Sequence, residues 1–426
     1  DFIAWNLAVN SEGGIWVPVY HNQNEEYLNY ILENCSPSLF ISDDNTINKK
    51  ILSLRSSDKI SNYYNNDNFE YNEVSTLIYT SGTTGNPKGV MLSDKNILSN
   101  IDGINSRFKD FEGKDMKSLN ILPWAHIYSI TTELYYGLLS GNEIALCSSP
   151  DNFVRELYEV KPNVLYLVPK VLDLIKSKLS KLDYGIFKYM IPIILKKLFG
   201  SEFITIFVGG AKLDESTFNF YKNNGISICL GYGCSETSPM VSVNHLSSPR
   251  NEVSVGKLLD DVIVEVIDKE IQVSGPNVMK GYWNDEEGTN KVLVERDGKI
   301  FYKTGDSGRI INDYLFLEGR ISENYKLSNG KFVNVEDLES KIRKNLSGNF
   351  IVYGENKNYN ILITDINMNK EKLIEKCNRN LDNYLKIKDV YYLKNDTFVR
   401  YLTPKMSIKR KKILKDYEED ISNFFT

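Results

Sequence analysis

The sequence predicts an α/β fold. A large N-terminal domain of mainly parallel sheets flanked by helices carries a small β subdomain, and a small α+β C-terminal domain follows. Three patterns predict it. Helix-like and strand-like segments alternate from Phe2 to Gly233, the rhythm of βα units and parallel sheets. From Gly256 to Phe316 the pattern shortens to β-type runs (VIVEVID, EIQVSG, KIFYKTGD, YLFLEGR). Beyond Arg320 a charged stretch of mixed helical and strand pattern runs to Thr426. The expected domains are therefore 1–320 and 321–426.

In chain order, FIAWNLAVN reads as helix, IWVPVY as strand, EEYLNYILENC as helix and SLFISDD as strand. Residues 56–72 are polar and Asn-rich, which predicts a loop. VSTLIYT is the next strand, and it opens into a loop rich in Gly and Thr. KSLNILPWAH and EIALCSS read as strand and loop, FVRELYEVKP as helix, NVLYLVP as strand and PKVLDLIKSKLSKL as helix. Tyr189 to Leu195 is the most apolar stretch; short and flanked by lysines, it reads as a core or interface helix. FITIFVGGA and ISICLGYG read as buried strands that stop at Gly-rich turns. No internal repeat is evident.

A chain of 426 residues has length for two or three domains. Its 42% apolar and 25% charged residues are ordinary for a water-soluble fold. A net charge of −5 argues against a nucleic-acid partner, which calls for excess Lys and Arg. The five cysteines are scattered without a CxxC, as expected of reduced thiols in a cytoplasmic protein. Three histidines are too few for a His-ligated metal centre. No signal peptide is visible, and no apolar run approaches the ~20 residues of a transmembrane segment. The chain starts at Asp1, already within apolar-rich sequence, so a preceding N-terminal segment is expected.

The most informative segment is YTSGTTGNPKGVMLS, Tyr79–Ser93. Gly82, Gly85 and Gly89 permit tight or positive-φ backbone. Thr80, Ser81, Thr83 and Thr84 supply hydroxyls, and Lys88 supplies a positive charge. Together these make an anion-binding nest suited to a polyphosphate. It is not the GxxxxGK[ST] loop of P-loop enzymes. A plain Gly/Ser/Thr linker is the other reading, and the buried-type strand before the loop argues against it. The segment closely resembles the phosphate-binding signature of the adenylate-forming superfamily, which includes acyl-CoA synthetases, peptide-synthetase adenylation domains and luciferases.

Further segments follow in that superfamily's order. LPWAHIYS (Leu122–Ser129) resembles its aromatic/His motif in long-chain members, and the resemblance puts His126 beside the acyl carboxylate. VGGAKL (Val208–Leu213) resembles SGGAPL, implying that Gly209 and Gly210 let the nucleotide or the acyl chain approach the backbone and that Gly210 and Ala211 bind the nucleotide. GYGCSETSP (Gly231–Pro239) resembles a second diagnostic motif. It assigns Gly231, Tyr232 and Gly233 to adenine, Ser235 and Thr237 to phosphate oxygens and Glu236 to Mg²⁺, a hard cation that prefers oxygen ligands. YKTGD resembles the motif whose aspartate, here Asp306, binds the ribose hydroxyls, and Arg320 matches an arginine that also reaches them. YKLSNGKFVNVEDLE (Tyr325–Glu339) resembles the long-chain form of the C-terminal entry: Lys326 matches a nucleotide-contacting lysine, and Gly330 would let the pantetheine of coenzyme A pass. The resemblance runs over nearly the whole chain.

It implies a two-step reaction using ATP, Mg²⁺ and coenzyme A. A fatty acid, long-chain by this resemblance, becomes an acyl-AMP and is then transferred to coenzyme A. The C-terminal domain would swing about a hinge near Arg320 between the steps. Peripheral membrane contact would suit such a substrate, and nothing in the sequence sets an oligomeric state. Two positions depart from the family. The hinge residue, usually Asp or Lys, is Ser322. In LTPKMSIKRKKIL (Leu402–Leu414) the family's adenylation lysine falls on Ser407. Lys405 and Lys409, two residues to either side, would share a face with it in an extended segment and are the candidate replacements. Alternatives are a ligase that passes the acyl group to a carrier protein, and a nucleotide- or acyl-binding regulator with impaired catalysis.

Overall fold

The structure is a computed structural model. It describes every residue except 1, 22, 24, 42–51, 55–72, 81–86, 112, 180–188, 247–253, 395–396, 403–407 and 426. Two helices open the chain, α1 (Phe2–Ser11) and α2 (Glu25–Cys35), followed by a parallel pair of short strands, β1 (Leu39–Ile41) and β2 (Leu52–Leu54). The expected strand at IWVPVY is reduced to one bridge between Trp16 and Thr76. Pro18 lacks the N–H that a continuing ladder needs. Val17 and Val19 pack with α2 against the next strand instead.

That strand, β3 (Thr76–Thr80), turns back antiparallel onto β4 (Lys88–Leu92), in a register that puts Thr80 opposite Lys88. The glycine-rich segment thus closes a hairpin whose two ends are fixed. Helix α3 (Asp94–Arg107) follows, an element the sequence patterns did not predict. Its start is a reciprocal cap: the Ser93 hydroxyl accepts from the Asn96 N–H, and the Asn96 side chain accepts from the Ser93 N–H.

The main sheet begins with β5 (Lys117–Asn120). A continuous helix over 127–139 comes next, made of α4 (Ile127–Ser129), a π-helical stretch Ile130–Tyr135 and α5 (Tyr136–Leu139). Then come β6 (Glu143–Leu146), α6 (Phe153–Val160), β7 (Val164–Leu167), α7 (Pro169–Leu179), α8 (Ile191–Phe199), β8 (Thr205–Val208), α9 (Glu215–Asn223) and β9 (Ile228–Gly233). Strands β6, β5, β7, β8 and β9 lie side by side and parallel. The residues of β7 and β8 are buried throughout, as expected where helices cover both faces of a parallel sheet.

The sheet continues antiparallel through β10 (Met240–Val243) and β11 (Lys257–Leu258) into the short-strand region. That region comprises β12 (Ile263–Ile267), β13 (Glu270–Ser274), β14 (Gly281–Tyr282), α10 (Glu286–Val292), β15 (Leu293–Arg296), β16 (Lys299–Ile311) and β17 (Tyr314–Arg320). β14 leaves this sheet and pairs with β4 instead. The C-terminal α+β region holds β18 (Tyr325–Lys326), β19 (Phe332–Val333), α11 (Val335–Arg343), β20 (Phe350–Tyr353), β21 (Asn360–Thr364), α12 (Lys370–Cys377), β22 (Ile387–Tyr392), α13 (Arg410–Asp416) and α14 (Glu418–Phe424). It has its own apolar clusters, one around Val335, Leu338 and Phe350 and another around Ile361, Phe398 and Ile413. Lys212–Glu336 (3.2 Å), Lys344–Glu215 (2.6 Å) and a hydrogen bond from Asn334 Nδ2 to the Glu318 carbonyl (2.7 Å) tie it to the larger part.

Candidate active site

The turn between β9 and β10 is held from three sides. The Asn100 amide, on α3, donates to the carbonyls of Thr237 (3.2 Å) and Met240 (2.8 Å), and its oxygen accepts from the Met240 N–H (3.1 Å). Asn277 donates to the Met240 carbonyl (3.1 Å), and the Ser238 hydroxyl donates to the Asn277 carbonyl (2.9 Å). Within the turn, the Thr237 hydroxyl donates to the Pro239 carbonyl (2.7 Å) and accepts from the Cys234 N–H (3.0 Å). Thr237 is fully buried. Its hydroxyl proton shapes the turn. Among the described residues, the Ser235 hydroxyl makes no such bond. Burial pushes the Cys234 thiol up, so it stays protonated, as suits packing rather than attack.

This bracing presents Glu236. Its backbone carbonyl accepts from the Met279 N–H (2.9 Å), and its carboxylate accepts from the Tyr282 hydroxyl (2.9 Å). The register of β14 on β4 sets Tyr282 opposite Val90. Lys88, at the start of β4, has its ammonium 4.5 Å above the Tyr282 ring and 3.3 Å from the Asp285 carboxylate. Hence Lys88, Tyr282 and Glu236 meet at the closed end of the hairpin. Sequence reasoning found the first and third. It missed Tyr282 and Asp285, because a GYWND turn carries no chemical signature of its own.

A second corner lies beside the first. β16 and β17 pair Asp306 with Arg320. One Asp306 oxygen is 2.8 Å from Arg320 Nε, and the other accepts from the Tyr232 hydroxyl at 2.7 Å. Arg320 also donates to the Thr304 carbonyl (2.8 Å). Burial pushes the Asp306 carboxyl up, while Arg320 and Tyr232 pull it back. Burial is the largest influence on Arg320 and works against its charge, yet Asp306 and the titratable groups around it together hold the guanidinium above its usual value. The intervening Gly305 has φ +70°, the left-handed region that glycine tolerates best.

His126 caps the 127–139 helix, with Nδ1 accepting from the Tyr128 N–H (3.1 Å). The Tyr128 ring lies against Gly209, where an added Cβ would be 3.3 Å from it. Its hydroxyl donates to the Phe207 carbonyl (2.9 Å). Behind Gly231 and Tyr128 lies an apolar cavity of about 20 Å³, bounded by Phe108, Phe111, Tyr166 and Phe207. Phe207 packs edge-on to Phe108 (5.0 Å) and stacks on Tyr166 (5.3 Å). Next to the His126 loop, the buried Glu133 accepts from Ser118 (2.9 Å) and Asn120 (2.5 Å). Asn120 and Ser129 also donate to the Leu122 carbonyl, at 3.0 and 3.2 Å. Burial raises the Glu133 carboxyl to about 7.

The sequence profile of the AMP-binding enzyme family matches residues 1–283, which contain the hairpin, the His126 loop and the Glu236 turn. The chain belongs to that family.

Relatives of this AMP-binding enzyme include the long-chain-fatty-acid–CoA ligase FadD15 of Mycobacterium bovis, 27% identical over 325 residues, covering 67% of this chain and 53% of that protein. Another is the D-alanine–D-alanyl carrier protein ligase of Listeria monocytogenes, 29% identical over 303 residues, covering 66% and 55%. The match thus spans about half the length of these curated relatives. Among solved structures, ATP-bound MatB from Rhodopseudomonas palustris superposes with a TM-score of 0.78 at 20% identity, over 98% of this chain and 86% of that one. The O-succinylbenzoate coenzyme A synthetase of Bacillus subtilis with AMP gives 0.75 at 19% identity, over 97% and 85%. These structures share the fold.

Gly210 (φ +81°) and Ala211 are exposed at the end of β8, beside the Lys212–Glu336 contact. Lys326 and Gly330 are exposed in the C-terminal region. Lys409 is half-buried there and leads into α13 rather than continuing an extended segment. No hydrogen bond or ion pair among the described residues joins these three to Glu236 or Asp306. Ser81, Gly82, Thr83, Thr84, Gly85, Lys405 and Ser407 lie outside the described residues. Arg410, next to Lys409, is buried and bonds Glu339 and the Val352 carbonyl (2.8 Å), with Glu323 at 3.7 Å.

Proposed function

We propose that the protein activates a fatty acid with ATP, forming acyl-AMP and pyrophosphate, and transfers the acyl group to coenzyme A. The observation that carries this reading is the meeting of Lys88, Tyr282 and Glu236 beside the Tyr232–Asp306–Arg320 corner, with an apolar cavity behind Gly231. The first group suits phosphates, the second a ribose, and the apolar lining of the cavity an acyl tail once its rings part. Among the described residues no three metal-ligating side chains cluster. A single carboxylate, Glu236, fits Mg²⁺ that arrives with nucleotide phosphates, since magnesium keeps few protein ligands in such sites. Bound there, the ion would offset charge on the leaving pyrophosphate.

In the first step a carboxylate oxygen attacks the α-phosphorus, and the bond to pyrophosphate breaks. Lys88, the hairpin hydroxyls from Thr80 to Thr84 and Ser235 would hold the triphosphate. Asp306 would accept from the ribose hydroxyls while Arg320 favours its charged form and aims it. Their work is positioning and charge stabilisation. In the second step the sulfur of coenzyme A attacks the acyl carbonyl carbon, and the carbon–oxygen bond to AMP breaks. The 1–320 and 321–426 division would move between the steps, bringing Lys326, Gly330 and the Lys405–Lys409 segment to the site in turn. Tyr232, Gly233, Gly210 and Ala211 would border adenine, and His126 the carboxylate.

The relative that bears a D-alanine name favours a second reading for the acceptor: a carrier-protein thiol in place of coenzyme A. As the acid, D-alanine is less favoured, because among the described residues no carboxylate lines the cavity to meet its ammonium group. A pyrophosphate-release screen over acids of increasing length, with coenzyme A or a phosphopantetheinylated carrier, tests both readings. Acid-dependent release supports adenylation, and the productive thiol identifies the acceptor. ATP binding without release would favour the regulator reading.

A further inference from the structure

Helix α8 buries one side and carries exposed apolar residues at the start of the other. Ile191, Leu195 and Phe199 face inward and are buried, joining the cluster of α6, α7 and β8. The outer side carries Ile193, and Met190 and Tyr189 lead into it; Tyr189 is 78% exposed and Ile193 66%. Of the nine residues in the helix, IPIILKKLF, the two that are polar are Lys196 and Lys197. A surface helix ordinarily has one apolar stripe and a polar opposite face; here lysines supply that face in the second half of the helix, and the first half leaves Ile193 exposed. Among the described residues none covers Tyr189 or Ile193.

The surrounding charge narrows what can cover them. Lys161, after α6, and Lys197 both hold their ammonium groups over the Tyr158 ring, at 5.8 and 5.7 Å. Tyr158 is itself exposed, as is Val154 one turn earlier on α6. Among the described residues, Lys161, Lys196 and Lys197 make no ion pair, whereas the nearby Glu159 is engaged by Arg155 at 3.8 Å. In a chain of net charge −5, this patch therefore combines protruding apolar side chains with uncompensated positive charge. That pairing matches a bilayer interface, where apolar residues enter the acyl boundary and lysines meet anionic headgroups. A buried protein interface would instead have to desolvate three unpaired ammonium groups.

We propose that α8, with the adjoining end of α6, is a docking surface for an anionic lipid bilayer. The protein would rest on the membrane through Tyr189, Met190 and Ile193, and Lys161, Lys196 and Lys197 would contact phosphate headgroups. Nothing in the docking requires a spanning segment, and no helix among the described residues is long and apolar enough to cross a membrane.

The test is vesicle flotation of the full chain with phosphatidylcholine vesicles, with and without phosphatidylserine. Wild type is expected to float with the anionic vesicles and to be released by salt. The paired change Tyr189→Ser with Ile193→Asp removes insertion, and Lys196→Glu with Lys197→Glu removes attraction. Each lysine near an anionic surface is worth roughly fivefold in partitioning, so the second pair should weaken binding by well over tenfold. All four side chains are exposed, so both variants should melt with the wild type. Absence of anionic-vesicle binding, or binding that neither variant changes, would overturn the proposal. So would a wild-type dimer in size-exclusion chromatography that the first variant alone dissociates, because a second copy would then be covering the face.

Discussion

Replacing Tyr282 by Phe would remove one oxygen atom and keep the ring. The ring keeps its place on β14 and its contact with Lys88, but Glu236 loses the hydroxyl that donates to it at 2.9 Å. A hydrogen bond to a charged group contributes about 1.5–3 kcal/mol. Glu236 is half-exposed, so water restores part of the loss and the lower value, about 1.5 kcal/mol, applies. That corresponds to roughly tenfold in an equilibrium constant. The apolar burial of the ring is unchanged, so the loss falls on the aim of the carboxylate. Pyrophosphate release at fixed ATP should need roughly tenfold more Mg²⁺ for half-maximal rate, with a much smaller change at saturating Mg²⁺. Glu236→Ala, measured alongside, should abolish turnover. A Tyr282→Phe titration that superimposes on wild type would refute the orienting role, and turnover by Glu236→Ala would refute the metal assignment.

Other perturbations probe separate parts of the site. Ser407→Lys should speed acyl-AMP formation more than thioester formation in single-turnover assays; no gain would mean that another lysine, Lys405 or Lys409, already serves. A cavity of about 20 Å³ holds little more than one water, so an acyl tail must part the rings around it. Phe207→Leu should therefore lower KM for longer acids relative to shorter ones, at a stability cost of about 1–3 kcal/mol. Glu133 titrates near 7 when folded and near 4.5 unfolded. Between those values the folded state holds the extra proton, so stability falls as pH rises through that window and levels off above it. At about 1.4 kcal/mol per pH unit the loss approaches about 3 kcal/mol. Glu133→Gln should flatten this dependence in urea melts between pH 5 and 8, and a parallel slope in both proteins would refute it.

Several parts of this protein were legible because their signals are local. The strand of Tyr79, the glycine spacing after it and the buried runs VLYLVP, FITIFV and ISICL each carry their pattern within a few residues. The antiparallel return of β4 was less visible, because loop residues with few apolar neighbours hide hairpin register. Helix α3 was missed for a similar reason. Its buried Asn96 and Asn100 read as polar surface, yet they face inward to bond the 276–278 and 237–240 segments.

The sequence by itself determined the chemistry available: a hydroxyl- and glycine-rich loop with Lys88, a lone carboxylate at Glu236, a carboxylate at Asp306 and an arginine at Arg320. Only the tertiary structure decided their partners. Tyr282 reaches Glu236, and Asn100 braces Thr237, because sheet and hairpin registers bring distant segments within hydrogen-bond range. Hydrogen bonds act over about 3 Å, whereas a sequence records only separation along the chain. Which groups end up sharing that short range is settled by packing the whole fold.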